Sequence, residues 1–412
     1  MGIAVKFVII TGLFLNFLPL RAAWEPIGPE GGNLRALARA RSDESRIYAA
    51  SFTNPSQIVK STDGGDSWVR VGNLPDCVYS LAIDPGNRDI LYAGGCARIF
   101  KSTNAGSTWN SYAVSNYNIY YLAIHPTQPA TISAAGAVKT GAYYYLSYFR
   151  STNGGVNWIS KPIVTNKQSC AYCLALDPVN PQTIYIGGSV MDSLKSPLLF
   201  KSLDAGANFT DISAGFAPCS TAWALAVHPT QTSNIYCGTD TGIYRSTDCG
   251  LSWNVTGPDR HIYSLATSSA EPDLVIAGAD TAIYKSTDAG LSWFPTGSGF
   301  HGREFRSLAI SRSAAADIGA GNNVGFFKST NGGSNWVEPT QNMNINAVDN
   351  FAVSRSAPAT LYAEISEVGE FKTADSGAHW TLLPDFLSCG SICGFALHNL
   401  NPDTVFALEG KG

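Results

Sequence analysis

The chain has 412 residues, of which 45% are hydrophobic and 14% charged, and 40 Gly and 21 Pro are spread along it. So apolar a sequence folds around a large core, and so many breakers forbid long helices; a disordered chain and a helical rod are excluded and an all-β protein is left. The net charge of −4, from 27 Lys and Arg against 31 Asp and Glu, gives no basic surplus for a phosphate backbone, so nucleic acid is not an expected partner.

The chain opens with Lys6 and an apolar run from Phe7 to Leu20, the length of a signal-peptide core and short for a membrane span. Ala22 and Ala23 supply small residues for cleavage, although Leu20 and Arg21 fit such a site poorly and an uncleaved anchor is the alternative. Residues 1–23 are thus read as a signal peptide. The mature protein is expected to be secreted, extracellular or periplasmic, to begin near Trp24, and to carry no membrane span.

An octapeptide, Ser61-Thr-Asp-Gly-Gly-Asp-Ser-Trp68, then recurs at 102–109, 151–158, 202–209, 246–253, 286–293, 329–336 and 373–380. From Trp68 to Trp380 the spacing averages about 45 residues, the period of a four-stranded propeller blade. Before each copy come a small-residue strand (Leu37-Ala38, Leu81-Ala82, Leu122-Ala123 and their counterparts), a second strand such as Thr183 to Ile186, and a third such as Ile243 to Ser246 running into the octapeptide. The pattern predicts up-and-down antiparallel blades packed around an axis, with the Leu-Ala strand innermost because the taper there selects small residues.

The third octapeptide position is Asp63, Asp204, Asp248, Asp288 and Asp375 but Asn104, Asn153 and Asn331. The exchange keeps a hydrogen-bond acceptor and discards the charge, which a catalytic acid or a metal ligand would not tolerate, so these residues are expected to hold a turn. Ser-x-Asp-x-Gly-x-x-Trp is similar to the Asp-box, or BNR repeat, of sialidase, sortilin-type and xyloglucanase-type β-propellers. The resemblance covers residues 24 to 409, and it implies that the box is a structural hairpin turn remote from the binding face. The Phe-Arg-Ile-Pro signature of sialidases is absent, Phe305-Arg306-Ser307-Leu308 being the nearest match.

Trp24 to Gly28 looks like the fourth strand of a preceding repeat, and Phe395 to Leu408 supplies the first two strands of a ninth. Pairing these ends predicts eight blades in a single domain over 24–412; seven, nine and the ten of sortilin-type propellers are the alternatives, as is a fragment of a longer protein. Nine cysteines behind a signal sequence point to an oxidising compartment, and their odd number leaves one unpaired or bonded between chains. Cys77 and Cys96 are equidistant from a turn between Gly86 and Asn87, which predicts a disulfide across the hairpin. Cys170 with Cys173, and Cys389 with Cys393, are knuckles five blades apart, so disulfide or free thiol is expected there rather than zinc. Cys219, Cys237 and Cys249 find no partner in the sequence.

Asp192, Glu271, Glu304, Asp349, Glu364, Glu367 and Glu370 are scattered over the repeats and read as surface acids rather than the paired carboxylates of glycoside hydrolysis. His125, His228 and His398 take the turn position that Asp84 and Asp177 occupy elsewhere. Strand direction puts the binding face opposite the boxes. There, two residues before each Leu-Ala pair, stand Arg35, Tyr79, Tyr120, Tyr172, Trp223, Tyr263, Arg306 and Asp349, the candidate ligand-binding set, with packing between blades as the alternative. The longest second-to-third loops, Gly136 to Tyr148 and Gly188 to Pro197, are expected to overhang it. The functional expectation is a non-catalytic propeller that binds a protein or carbohydrate partner, without cofactor or metal. The resemblance leaves two alternatives: a glycoside hydrolase, or an assembly factor like the photosystem II propeller that shares similar boxes.

Overall fold

The computed structural model describes residues 33–191, 197–216, 221–296 and 304–337, with shorter stretches between 350 and 409. Residues 1–32, which hold the expected signal peptide and the Trp24 strand, lie outside them, as do Asp192, Cys219, Asp349, Glu367, Cys389 and His398. Every described element is a strand. The first repeat pairs Leu34–Arg39, Ile47–Ser51, Ser56–Ser61 and Val69–Leu74 antiparallel in chain order. Its second strand is buried along its whole length, as are Ile184–Val190, Ile235–Thr239 and Val275–Ala279, because each is covered on both faces by neighbouring blades. That is why these strands are continuously apolar or small rather than alternating.

The same four-stranded order recurs at 169–211, 222–255, 262–296 and 350–382. Ser307–Ile310, Ile318–Gly321 and Phe326–Ser329 form a three-stranded blade, which Lys328 and Val337 extend by one bridge. The second and third repeats share one strand, Asn110–Ile124, whose first half closes the second blade and whose second half is the inner strand of the third. This stretch holds no Gly or Pro, so nothing breaks the extended chain between the two blades.

Each box is a turn built by its own side chains. The Ser61 hydroxyl donates to Asp63 Oδ1 (2.7 Å) and accepts the Gly65 N–H (2.8 Å), while Asp63 Oδ1 accepts the Ser67 N–H (2.9 Å). Asn104 reproduces this with Thr108 N–H at 2.9 Å, and Asn153 with Asn157 N–H at 2.9 Å, so the charge is dispensable to the turn. The box aromatic folds back, Trp68 Nε1 donating to Gly65 O at 3.1 Å. In the eighth box Thr373 donates to Asp375 Oδ1 at 2.6 Å.

The boxes also make the joints between blades. Lys101 Nζ and Tyr92 OH of the second blade donate to Gly154 O in the third box (2.7 and 3.1 Å), Lys201 Nζ to Cys249 O (3.2 Å), Tyr236 OH and Arg245 Nε to Ala289 O (2.9 and 2.7 Å), and Lys285 Nζ to Gly332 O (2.9 Å). At several joints an aromatic ring of the preceding blade sits against the box glycine: a Cβ on Gly155 would lie 2.9 Å from Tyr92, one on Gly206 2.1 Å from Tyr148 and one on Gly290 2.5 Å from Tyr236.

The seventh blade makes this same joint with the first. Lys328 Nζ pairs with Asp66 Oδ1 of the first box, the Phe326 ring packs edge-on to Trp68 at 5.0 Å, and a Cβ on Gly65 would lie 2.4 Å from that ring. Leu34 N–H donates to Asn322 O (2.7 Å), and Arg39 forks onto both oxygens of Asp317 (2.7 and 3.2 Å). The ring therefore closes on seven blades and not on the eight that matching the chain ends predicts. The eighth repeat and the paired strands Ile392–Leu397 and Val405–Glu409 lie beyond a ring already complete.

The expected long loop from Gly136 to Tyr148 is instead a hairpin. Ile132–Thr140 and Tyr143–Ser151 pair without a break from Ile132 to Tyr143, the ladder running straight through the three tyrosines.

Candidate functional site

A backbone irregularity creates the site. In the inner strands of five blades the ladder skips one residue, and those skipped are Arg35, Tyr120, Tyr172, Trp223 and Tyr263. Tyr79 and Arg306 hold the equivalent place just ahead of the pairs Ser80↔Gly94 and Ser307↔Gly321. A bulge re-aims the side chain it carries. Here all seven turn into one end of the central channel and line a cavity of about 150 Å³. All seven are half-buried. Seven of the eight residues that precede the Leu-Ala pairs thus lie together; Asp349, the eighth, lies outside the described residues.

The rings touch one another in an arc. Tyr79 meets Tyr120 at 4.8 Å and Tyr120 meets Tyr172 at 5.1 Å, both edge to face; Tyr172 stacks on Trp223 at 4.6 Å. His261, which sequence reasoning left without a role, continues it, 5.4 Å from Trp223 and stacked at 3.9 Å on Tyr263. Arg306 lies over Tyr263 at 4.5 Å, and Arg35 over Phe52 at 4.2 Å and Tyr79 at 5.1 Å. Phe52 and His261 were not legible beforehand, because they come from loops whose course only the fold defines.

Polar groups fix this arc. Asn118 Nδ2 donates to the hydroxyls of both Tyr79 and Tyr120 at 3.0 Å, and Asp240 accepts from Trp223 Nε1. Glu304, expected as a surface acid, adopts a left-handed φ of 63°. Its carboxylate accepts from Tyr263 OH (3.1 Å) and pairs with Arg306 (2.8 Å). Strain at a non-glycine residue is held only where its surroundings over-determine it, and here it delivers the carboxylate.

Burial raises the pKa values of Tyr79, Tyr120 and Tyr172, and burial with Glu304 pushes that of Tyr263 up to about 12, so all four hydroxyls stay protonated donors. Burial and then Arg306 lower that of Arg35, while burial outweighs Asp240 in lowering that of His261. At neutral pH the mouth presents neutral aromatics and two guanidinium groups, with Glu304 bound to one of them.

Below the mouth the inner strands carry Ala36, Ser80, Cys173, Ala224, Ser264 and Ser307 at one position, but Tyr121 in the third blade. Tyr121 stands 39% exposed in the channel, between the mouth and a wider vestibule of about 460 Å³ on the box face.

Cys77 and Cys96 are free thiols at the rim, so the bridge expected across this hairpin is not closed here. The ladder stops at Ser80↔Gly94, and Cys77 turns off with its N–H on Asp76 (2.9 Å). Cys170, Cys173 and Cys237 are buried thiols. No cluster of metal-ligating side chains occurs among the described residues, and none of them forms a helix long and apolar enough to cross a membrane. His125 and His228 cap their turns, each Nδ1 accepting the N–H three residues on (3.1 and 3.0 Å), as Asp84 and Asp177 do in theirs.

Fold and site together define a seven-bladed β-propeller with an aromatic and basic channel mouth. No family model matches the chain, nor does any curated protein. Among solved structures it is similar to the GH74 xyloglucanase from Xanthomonas campestris, with a TM-score of 0.64 and 13% identity over 91% of this chain and 71% of that one. It is also similar to YCF48 from Cyanidioschyzon merolae, with a TM-score of 0.52 and 14% identity over 75% of this chain and 99% of that one. A structure of YCF48 bound to D1 peptide matches with a TM-score of 0.50 and 12% identity over 73% of this chain and 94% of that one. At these identities the likeness is one of fold.

Proposed function

We propose that this is a secreted, non-catalytic propeller that binds a segment of a protein partner at the mouth ringed by Arg35, Tyr79, Tyr120, Tyr172, Trp223, Tyr263 and Arg306. The observation that carries this reading is the arc itself: seven half-exposed side chains, one from each blade, converge on one opening. Successive rings lie against each other, so much of each face is taken by its neighbour and the opening receives ring edges and hydroxyls. Sugars bind on open aromatic faces, whereas edges and hydroxyls suit the carbonyls and side chains of a peptide. Glu304 and Asp240 are already committed to Arg306, Tyr263 and Trp223, which argues against a role as the paired carboxylates of glycoside hydrolysis. The peptide-bound neighbour supports the same reading by analogy of fold.

The test is the full mature chain on a peptide array and a glycan array, beside a hydrolysis assay on xyloglucan oligosaccharides. Peptide binding that Trp223→Ala abolishes is the expected result. Binding to glycans alone, or sugar release, would overturn the reading.

A further inference from the structure

We propose that the mouth anchors its partner by a carboxylate held on Arg35, with the partner's apolar residues lying along the arc from Tyr79 to Trp223; this rests on the peptide reading above. The Arg35 guanidinium lies over both the Phe52 ring (4.2 Å) and the Tyr79 ring (5.1 Å), which meet each other edge to face at 5.4 Å, so the two rings back one side of it and leave its N–H edge to the opening. Among the described residues no hydrogen-bond acceptor meets that edge, although the side chain is half-buried. Arg306, on the next blade around the closed ring, differs: Glu304 occupies it at 2.8 and 2.9 Å.

The mouth thus holds two cations and two committed anions, Glu304 on Arg306 and Tyr263 and Asp240 on Trp223, and Arg35 is the cation that no described side chain pairs. A carboxylate satisfies the fork with two parallel hydrogen bonds. A cationic group would face two guanidinium groups, and the positive edges of the rings repel it further. The cavity of about 150 Å³ admits a side chain or a chain end rather than a folded domain, and Tyr121 stands beneath it. Seven-fold closure is what makes the corner, since it puts the first and seventh blades, and with them Arg35 and Arg306, side by side.

The carboxylate has two possible sources, a chain terminus or an Asp or Glu side chain. Hexapeptides are arrayed with free and with amidated C-termini, and in matched sets with Asp and Glu replaced by Asn and Gln, then probed with the full mature chain, Arg35→Gln, Arg35→Lys and Trp223→Ala. We expect one of the two neutralisations to weaken binding to the unaltered protein by about tenfold to a hundredfold, the range of a charge-assisted hydrogen bond. Arg35→Gln should erase that preference, and Arg35→Lys, which keeps the charge without the fork, should retain part of it. If acid and neutral peptides bind equally, or if the preference survives Arg35→Gln, the anchor is wrong; Trp223→Ala still abolishing binding would then leave the peptide reading intact. Undiminished binding by Trp223→Ala overturns that reading itself.

Discussion

Lys328 Nζ lies 2.7 Å from Asp66 Oδ1, joining the seventh blade to the first with the lysine that Lys101 and Lys285 supply at the second-to-third and sixth-to-seventh joints. Asp66 is mostly exposed, so Lys328→Ala should cost less than about 1 kcal/mol. The fully buried Phe326 beside it should dominate, Phe326→Ala costing about 3–5 kcal/mol in denaturant unfolding. A chain ending at residue 340 tests the closure directly. A ring of seven still unfolds in one cooperative transition without the eighth repeat, whereas loss of cooperativity would point to a larger ring.

Four boxes place a residue with a side chain in the left-handed region next to their glycine: Ala105, Ala205, Cys249 and Ala289, at φ between 55° and 61°. The conformation costs an L-residue roughly 1–2 kcal/mol, and glycine relieves it at some entropic cost. Ala289→Gly should therefore stabilise the protein by about 1 kcal/mol, read as a rise in melting temperature. The same substitution at Ala134, in the middle of a buried strand, should destabilise it.

Burial alone would raise the carboxyl of Asp288, but the hydroxyl and N–H of Ser292 and the hydroxyl of Ser286 hold it down at about 2. A folded-state value below the unfolded one contributes stability that is fully present above pH ~4 and is lost as pH falls through about 2. Asp288→Asn keeps the geometry, as Asn153 shows, and removes the titration. Its unfolding midpoint should depend less on pH between about 4 and 2 than that of the unaltered protein. An identical pH profile would show that this box is not the source of acid sensitivity.

Burial, then Asp76, push the Cys96 thiol up to about 11, and the same two causes raise Cys77. Alkylation of the reduced protein should therefore be slow near pH 7 and accelerate as the thiolate forms at higher pH. Protein recovered from an oxidising compartment should show a Cys77–Cys96 linkage in a non-reducing peptide map. Two freely alkylated cysteines in such material would show that the bridge does not form.

The amino-acid sequence by itself determined the blade. Eight copies of one octapeptide at a steady period fix strand order, because Ser and Asp or Asn close their turn with bonds local to eight residues, whatever the rest of the chain does. It also placed Tyr79 through Tyr263 at one end of the axis, since strand direction puts the residue two before each Leu-Ala pair on the face opposite the boxes. Closure was decided by tertiary structure alone. The boxes are interchangeable as turns, and what selects seven is the fit of Phe326 and Lys328 against Gly65 and Asp66, a contact between residues more than 260 positions apart. Bulges, too, belong to the tertiary level: nothing in Ala-Tyr-Cys or Ala-Trp-Ala announces which side chain will leave the ladder. Phe52, His261 and Glu304 join the site through loops whose course only the folded ring defines. Above all, closure on seven sets Arg35 next to Arg306, a juxtaposition that no stretch of sequence encodes.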